Sequence, residues 1–425
     1  YYYSFRIPEI LLNRSDSVCF FSLINIKAIN KNNFLDWRKA VRRGFGDVRD
    51  FNDMEILRLE RVEINRLIAA IDDETNGIVG TGGTDSFNLT IPGFRSIKMG
   101  GIAYMTTSLT HRRRGIWTEL MNYLHDDAVN HGEIMTGLWA SQSNLYRRFG
   151  YGIGTLSERW NIRSRFTSIK FPLDPDFFVE FVEQTDALEM FPSIYESFRK
   201  KNVGMVNRSE GRWRYEIHQV KKGQNPVFYL MSTRNGKPDG YLIYKTVRSG
   251  DMEMGSIEVI EELSLSVESS LHLWSLIVDS DLINNIVADN RPHQDPILWY
   301  FTNPRSVTRE TKDGVWYKLI NVKKCLEMRA YSTEDSKTIK VLDPMNLEDF
   351  KTFRVESTNL GASVYHSNSE PDIEIYCSDL ASVFMGVTTF SLLHQTGRLR
   401  IKSSSVIEQL DMMFGTNNAW CPHYF

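Results

Sequence analysis

Three consecutive arginines and a glycine, Arg112-Arg113-Arg114-Gly115, stand where the chain changes from a strand pattern to a helix pattern. Upstream, Gly101 to Leu109 is small, apolar or β-branched (Ile102, Ala103, Tyr104, Met105, Thr106, Thr107), which reads as a buried strand. Downstream, Ile116, Leu120, Met121, Leu124 and Ala128 recur at helical spacing, and Gly132 stops the run. Such a turn offers unpaired N–H groups at the positive end of a helix dipole, and glycine gives an anion close access to them. The guanidinium groups add forked donors suited to phosphate oxygens. The chemistry on offer is phosphate binding; taken alone, a triple arginine also reads as a solvated surface run. His111 beside it is either a further donor on the phosphate side or an ordinary loop histidine.

Two more chemical groups belong with this turn. A second strand pattern, Glu133 to Ser141, leads into Leu145-Tyr146-Arg147-Arg148-Phe149-Gly150-Tyr151 on a short helix, where Tyr146 carries a titratable phenol. The chain ends in Trp420-Cys421-Pro422-His423-Tyr424-Phe425, an aromatic tail that argues for docking, where most chain ends fray.

Composition bounds what these groups can serve. Lys+Arg 50 against Asp+Glu 53 gives a net charge of -3, with no second basic cluster to follow a nucleic-acid backbone. The 42% hydrophobic and 24% charged content describes a soluble globular protein, and no window approaches the roughly 18 apolar residues of a membrane span. The chain starts Tyr1-Tyr2-Tyr3 and lacks a secretion signal, and we expect its true start to lie upstream. Cys19, Cys325, Cys377 and Cys421 are far apart, as reduced thiols of a cytoplasmic protein would be. His125 and His131 lie six apart on different helical faces, so no metal site is expected.

At 425 residues, two to three domains are expected. Arg66–Ile71 and the run from Ile78 flank Asn76-Gly77, a hairpin signal, and a strand into the arginine turn follows Pro92-Gly93. The same order recurs later. Val227–Ser232 and Tyr241–Tyr244 flank Asn235-Gly236, Ser256–Leu263 reads as a strand, and residues 272–283 continue as a helix. At this second strand-to-helix turn stands Leu263-Ser264-Leu265-Ser266-Val267, without arginine or glycine. The last hundred residues alternate short strands (337–341, 352–356, 362–365, 372–376) with helical patterns at 378–385 and 405–414.

The order strand, R-x-x-G turn, helix, strand, short helix resembles the GNAT acetyltransferase superfamily. The strings His111-Arg112-Arg113-Arg114-Gly115, Leu138-Trp139-Ala140-Ser141 and Tyr146-x-Arg148-Phe149-Gly150-Tyr151-Gly152 are similar to the bacterial enhanced-intracellular-survival (Eis) family. The resemblance continues through Trp274, Asp295-Pro296, Trp316 and 325–331 to the final Phe425, so it spans nearly the whole chain. It implies tandem GNAT-like domains of mixed α+β and αβα type, the second degenerate, followed by a sterol-carrier-like α+β domain, with boundaries at 1–160, 161–318 and 319–425. The third domain is read as a packing unit that delivers the C-terminus, with a lipid-binding tunnel as the alternative.

The same resemblance implies an acetyl-CoA-dependent N-acetyltransferase acting on cationic amines of aminoglycoside or polyamine type. A protein lysine, or loss of catalysis in favour of lipid or partner binding, are the alternatives. Met105, Thr106 and Thr107 would pair with pantetheine as an added strand would. The turn from Arg112, Arg113, Arg114 and Gly115 through Ile116, Trp117 and Thr118 would hold the pyrophosphate, with Ser141 also on the coenzyme. Where the superfamily usually has Gly or Ala, this chain has Trp117, a bulky choice common in the Eis family. Tyr146, a phenol of pKa roughly 10, would be the general acid for a thiolate leaving group, and the carboxylate of Phe425 the base. Asp47 and Tyr104 would line the acceptor pocket. Tyr424 stands where relatives often carry an acid, which argues against strong aminoglycoside binding. Relatives form hexamers, so a homo-oligomer is expected.

Overall fold

A computed structural model of the chain describes residues 24–47, 54–172, 174–220, 225–247, 255–345, 350–416 and 419–425; the start of the chain and Cys19 lie outside them. The first unit runs β1 (Ile24–Ala28), α1 (Phe34–Gly44), α2 (Met54–Arg61), β2 (Leu67–Asp72), β3 (Gly77–Ile91), β4 (Arg95–Thr107), α3 (Ile116–Asn130), β5 (Met135–Trp139), α4 (Ser143–Tyr146) and β6 (Gly152–Ile153). The second runs β7 (Leu156–Ile162), β8 (Phe177–Val182), α5 (Gln184–Arg199), α6 (Glu210–Val220), β9 (Val227–Arg234), β10 (Lys237–Val247), β11 (Gly255–Ser264), α7 (Val267–Val278), β12 (Ile283–Pro292) and β13 (Val307–Asp313). After β14 (Val315–Leu319) come α8 (Val322–Met328), β15 (Asp335–Leu342), β16 (Lys351–Thr358), β17 (Gly361–His366), β18 (Ile373–Tyr376), α9 (Cys377–Phe384), α10 (Phe390–Gln395), β19 (Leu399–Ile401) and α11 (Ser405–Met413).

Three sheets result, in the orders β1-β2-β3-β4-β5-β14-β6, β13-β7-β12-β11-β10-β9-β8 and β17-β16-β15-β18-β19. The first two share a plan: antiparallel strands and then one parallel pair, β4 with β5 and β11 with β12, joined by a helix. Asn235 and Gly236 both adopt positive φ, 48° and 74°, the geometry that the Asn-Gly hairpin signal anticipates.

The units exchange strands. The expected boundaries at 160/161 and 318/319 both cut a strand, because β7 joins the second sheet and β14 returns to the first. The run Val315, Trp316, Tyr317 and Leu319 is buried and covers the outer edge of β5, which would otherwise be open. Tandem order along the chain therefore does not mean independent sheets. The second crossover helix also differs from its sequence reading. It starts at Val267 and ends at Val278, and Ile283 opens β12. Ser266 caps it at Oγ by accepting the Ser269 N–H, a start signal that outweighs the later periodicity.

Packing follows the sequence pattern closely on α3, whose buried face is Ile116, Leu120, Met121, Leu124 and Ala128. The third unit shares its core with the first: Leu380, Phe384 and Leu410 pack in one cluster with Phe87, Met99, Tyr317 and Phe425. This suits a packing role. Arg329 is fully buried there, donating to the carbonyls of Phe384, Ala330 and Phe414, and burial pushes its pKa down to about 10. Cys325, Cys377 and Cys421 are free and buried. No helix among the described residues is long and apolar enough to cross a membrane.

Candidate active site

β4 and β5 pair in parallel only from Met99–Gly101 to Met135–Gly137. Beyond that point they diverge, so the facing edges of Ile102–Thr107 and Leu138–Trp139 carry no strand partner. A bulge enforces the divergence. Three steps on β4, Ala103 to Thr106, oppose two on β3, Gly83 to Thr81, and Tyr104 takes φ +60°, a left-handed conformation that a bulky residue adopts only when its surroundings impose it. Thr81 Oγ1 holds the bulge by donating to the Tyr104 carbonyl at 2.8 Å. The resulting gap suits an extended chain with peptide-like groups, such as pantetheine.

The arginine turn sits at the mouth of the gap. Arg113 (φ +64°) and Gly115 (φ +82°) twist the backbone, and Gly115 is the N-cap of α3 with no side chain capping it. Thr118 and Glu119 bond back to the Gly115 carbonyl; among the described residues nothing accepts the N–H groups of Gly115, Ile116 or Trp117. Arg112, Arg113 and Arg114 are exposed and form no ion pair among the described residues. Their charge is available to an anion. His111 is not: its Nε2 meets Asp72 Oδ2 at 2.9 Å, and this fastens the turn to β2. Thr106, Thr107 and Arg112 also border a smaller hollow of about 250 Å³ with Arg43 and Gly80. A side chain at position 115 would be strained at that φ and would cover the open amides. Gly115→Val should weaken acetyl-CoA binding at least ~10-fold by titration calorimetry, at unchanged far-UV dichroism.

A cavity of about 540 Å³ lies deeper between the strands. Tyr104, Met105, Ser141, Tyr146 and Phe425 all line it, so five expected site residues from four parts of the chain meet there. Tyr146 ends α4, is buried, has its Oη 3.5 Å from Ser141 Oγ, and packs edge-on to Trp117 at 5.9 Å between ring centres. The bulk of Trp117 is thereby explained, since it backs the phenol from the first turn of α3. Burial raises the Tyr146 pKa above 10, which keeps it protonated.

The C-terminus reaches this cavity by passing between the units. Trp420 N–H donates to Val203 O and its Nε1 to Asn290 O, both at 2.9 Å. His423 is buried between two arginines of the second unit, Arg208 Nε at 3.0 Å from Nδ1 and Arg212 at 3.0 Å from Nε2. Burial, then the Arg208 and Arg212 charges, hold its pKa well below 6.5. Each arginine has its own carboxylate, Glu261 for Arg208 and Asp85 for Arg212. Tyr424 lies against Trp139, and the Phe425 ring against Phe87 at 4.8 Å. A Cβ on Gly101 would come within 2.3 Å of Phe87 and 2.9 Å of Phe425, so glycine there makes room for the chain end.

The remaining walls are not legible in the sequence. They include Trp37 and Arg38 of α1, Arg58 and Arg61 of α2, and Tyr215 and Glu216 of α6. The Arg58 and Arg61 guanidinium groups lie 5.7 and 4.7 Å from the Tyr215 ring centre, tying the first unit's α2 to the second unit's α6. Asp47 does not join them. It folds back on the end of α1, with its N–H on Arg42 O at 2.8 Å and its carboxylate 3.4 Å from the Arg42 guanidinium, and it is absent from the cavity lining.

The corresponding turn of the second unit is built differently among the described residues. The Ser266 hydroxyl caps α7 and donates to the Asp239 carboxylate, so the position of a phosphate is filled by a cap and an anion. No group of three or more His, Cys, Asp or Glu is placed to hold a metal among the described residues.

A splayed parallel pair, an uncapped arginine turn and a crossover helix define a GNAT acetyltransferase. Residues 25–154 and 204–319 each match an acetyltransferase (GNAT) domain family, and residues 322–422 match the sterol carrier protein domain. The chain thus carries two GNAT domains and then a sterol-carrier-like domain, and over most of its length it is similar to Eis-like N-acetyltransferases. The N-acetyltransferase Eis of Mycobacterium tuberculosis is 27% identical over 350 residues, 80% of this chain and 84% of that protein. An uncharacterized N-acetyltransferase of Streptomyces coelicolor is 25% identical over 94% of this chain and 99% of its own length. The crystal structure of Eis1 from Mycobacterium abscessus superposes with a TM-score of 0.81 at 25% identity, covering 95% of this chain and all of that one.

Proposed function

We propose that the chain transfers acetyl directly from acetyl-CoA to an amine, with Tyr146 as general acid and the Phe425 carboxylate as base. The observation that carries this reading is the convergence of Tyr146, Ser141 and the chain terminus on one cavity that continues into the β4–β5 gap. In this reading the Gly115–Trp117 amides and the exposed arginines take the pyrophosphate, and the unpaired edge at Met105–Thr107 takes pantetheine. The coenzyme supplies an activated acetyl thioester.

The chain's own groups handle the protons. An aliphatic ammonium, pKa about 10.4, must lose a proton before it can attack. A terminal carboxylate is ionised at neutral pH, attracts the ammonium, and receives that proton through water. The Tyr146 hydroxyl gives its proton to the departing sulfur. No residue here has to form a covalent acyl intermediate.

The test is acetyl-CoA-dependent release of coenzyme thiol in the presence of amines, with calorimetry on the same protein. We expect release that requires both substrates and one acetyl-CoA bound per chain, since Ser266 and Asp239 close the second turn. Two equivalents bound, or no amine-dependent release, would refute the reading.

A further inference from the structure

Beside the open amides of the arginine turn lies a side-chain donor that nothing in the fold uses, and its role rests on the acetyl-CoA reading above. Indole N–H groups in this protein are bonded as a rule. Trp37 donates to Ile68 O, Trp139 to His423 O, Trp160 to Glu158, Trp274 to Glu262, Trp316 to Asp313 and Trp420 to Asn290 O. Trp117 breaks that pattern. Its Nε1 is sealed from solvent and bonded to nothing among the described residues. A buried donor left unmade is costly, and an acceptor that arrives with a ligand removes the cost. Thr107 Oγ1, at the last position of β4, is in the same state.

Location gives the two atoms a common ligand. Trp117 lies in the first turn of α3, among the amides proposed for the pyrophosphate, and its ring sits 5.9 Å from that of Tyr146, the group proposed to face the thioester sulfur. Thr107 pairs with Gly80 on one edge of β4 and lies beyond the β4–β5 pairing on the other. In the coenzyme, pyrophosphate and sulfur are joined by the pantetheine arm, whose amide carbonyls and hydroxyl accept hydrogen bonds. That arm must run past the indole. Packing on Tyr146 accounts for the bulk of Trp117 but gives its N–H no role.

We propose that the Trp117 indole N–H is a side-chain contact of the coenzyme, donating to an acceptor oxygen of the pantetheine arm, with the Thr107 hydroxyl as its neighbour on the strand side. Backbone pairing along Met105–Thr107 accepts an extended amide chain of any kind. A fixed donor adds one position that an acceptor must occupy, and so sets how far the thioester reaches towards Tyr146. Trp117 as a whole is half-buried, and a small turn of the ring brings its N–H to the gap. Phenylalanine at this position would keep a ring on Tyr146 and lose the donor.

Calorimetry on the full chain separates the arm from the nucleotide. Trp117→Phe should weaken acetyl-CoA binding ~5-fold, while phosphoadenosine diphosphate, the nucleotide end of the coenzyme with its pyrophosphate, should bind within ~2-fold of the unaltered protein. Should that variant not fold, Trp117→Met, which fills the space without a donor, is compared in the same way. A second readout needs no affinity. In protein labelled at the indole nitrogens, the resonance missing from the variant should move downfield on adding acetyl-CoA and stay in place on adding the nucleotide. Unchanged acetyl-CoA affinity in the variant, or a resonance that acetyl-CoA leaves in place, would overturn the proposal. Equal weakening of both ligands would overturn it too, as the mark of a turn disturbed as a whole. An unaltered protein that binds no acetyl-CoA would instead bring down the acetyl-CoA reading itself.

Discussion

Tyr146→Phe is expected to bind acetyl-CoA within about 3-fold of the unaltered protein while kcat falls at least ~100-fold, the loss of a positioned general acid. The substitution removes one oxygen and keeps the ring, so the contacts with Trp117 and Tyr151 persist. The lost hydroxyl bonds only weakly, at 3.5 Å to Ser141, which makes a large loss of stability unexpected. The pH profile gives an independent reading. Burial raises the phenol pKa, so the protonated acid is present below that pKa and is lost only above it. The rate should therefore hold through pH ~9 before any fall on the alkaline side, and that limb should vanish in the phenylalanine variant. Isothermal calorimetry and steady-state kinetics on the two proteins check both points.

Adding a single glycine after Phe425 should be nearly as damaging, with kcat down ~100-fold and the melting temperature little changed. The last ring is held by Phe87 and by the space at Gly101, and His423 is locked between Arg208 and Arg212. With those anchors fixed, an added residue carries the carboxylate up to ~3.5 Å from its place. Displacement of that size costs far more in rate than in stability, since burial of the Phe425 ring, roughly 2–3 kcal/mol, is retained. Deleting Phe425 removes both ring and position, and its activity should fall at least as far.

Local signals are legible in the sequence. The buried face of α3, the uncapped Arg113–Gly115 turn, Tyr146 on its short helix and the docked aromatic tail all depend on residues within a few positions of one another. The difference at the second unit's turn is legible too, because Ser264–Ser266 stands there in place of arginine and glycine; the structure adds that Ser266 caps α7 and bonds the Asp239 carboxylate. What the sequence hides is non-local. Arg58, Arg61 and Tyr215 meet only because α2 packs on α6, across more than 150 residues of chain. The latch on His423 joins positions 208, 212 and 423, and β14 enters the first sheet from beyond the second. Asp47 shows the converse case. The resemblance places Asp47 in the pocket, but its N–H bonds the Arg42 carbonyl, its carboxylate lies 3.4 Å from the Arg42 guanidinium, and it does not line the cavity.

Placed together, these contacts bring three units to one cavity: the first lines it with strand residues and Tyr146, the second holds His423 between its arginines, and the third brings Phe425 to it. The most direct test of that claim is a double-variant cycle, measuring single-turnover acetyl transfer for Tyr146→Phe, for the glycine-extended chain and for both together. If acid and base serve one transition state, the combined loss should fall well short of the product of the two single losses. A combined loss equal to that product, or a single variant with full activity, would contradict it.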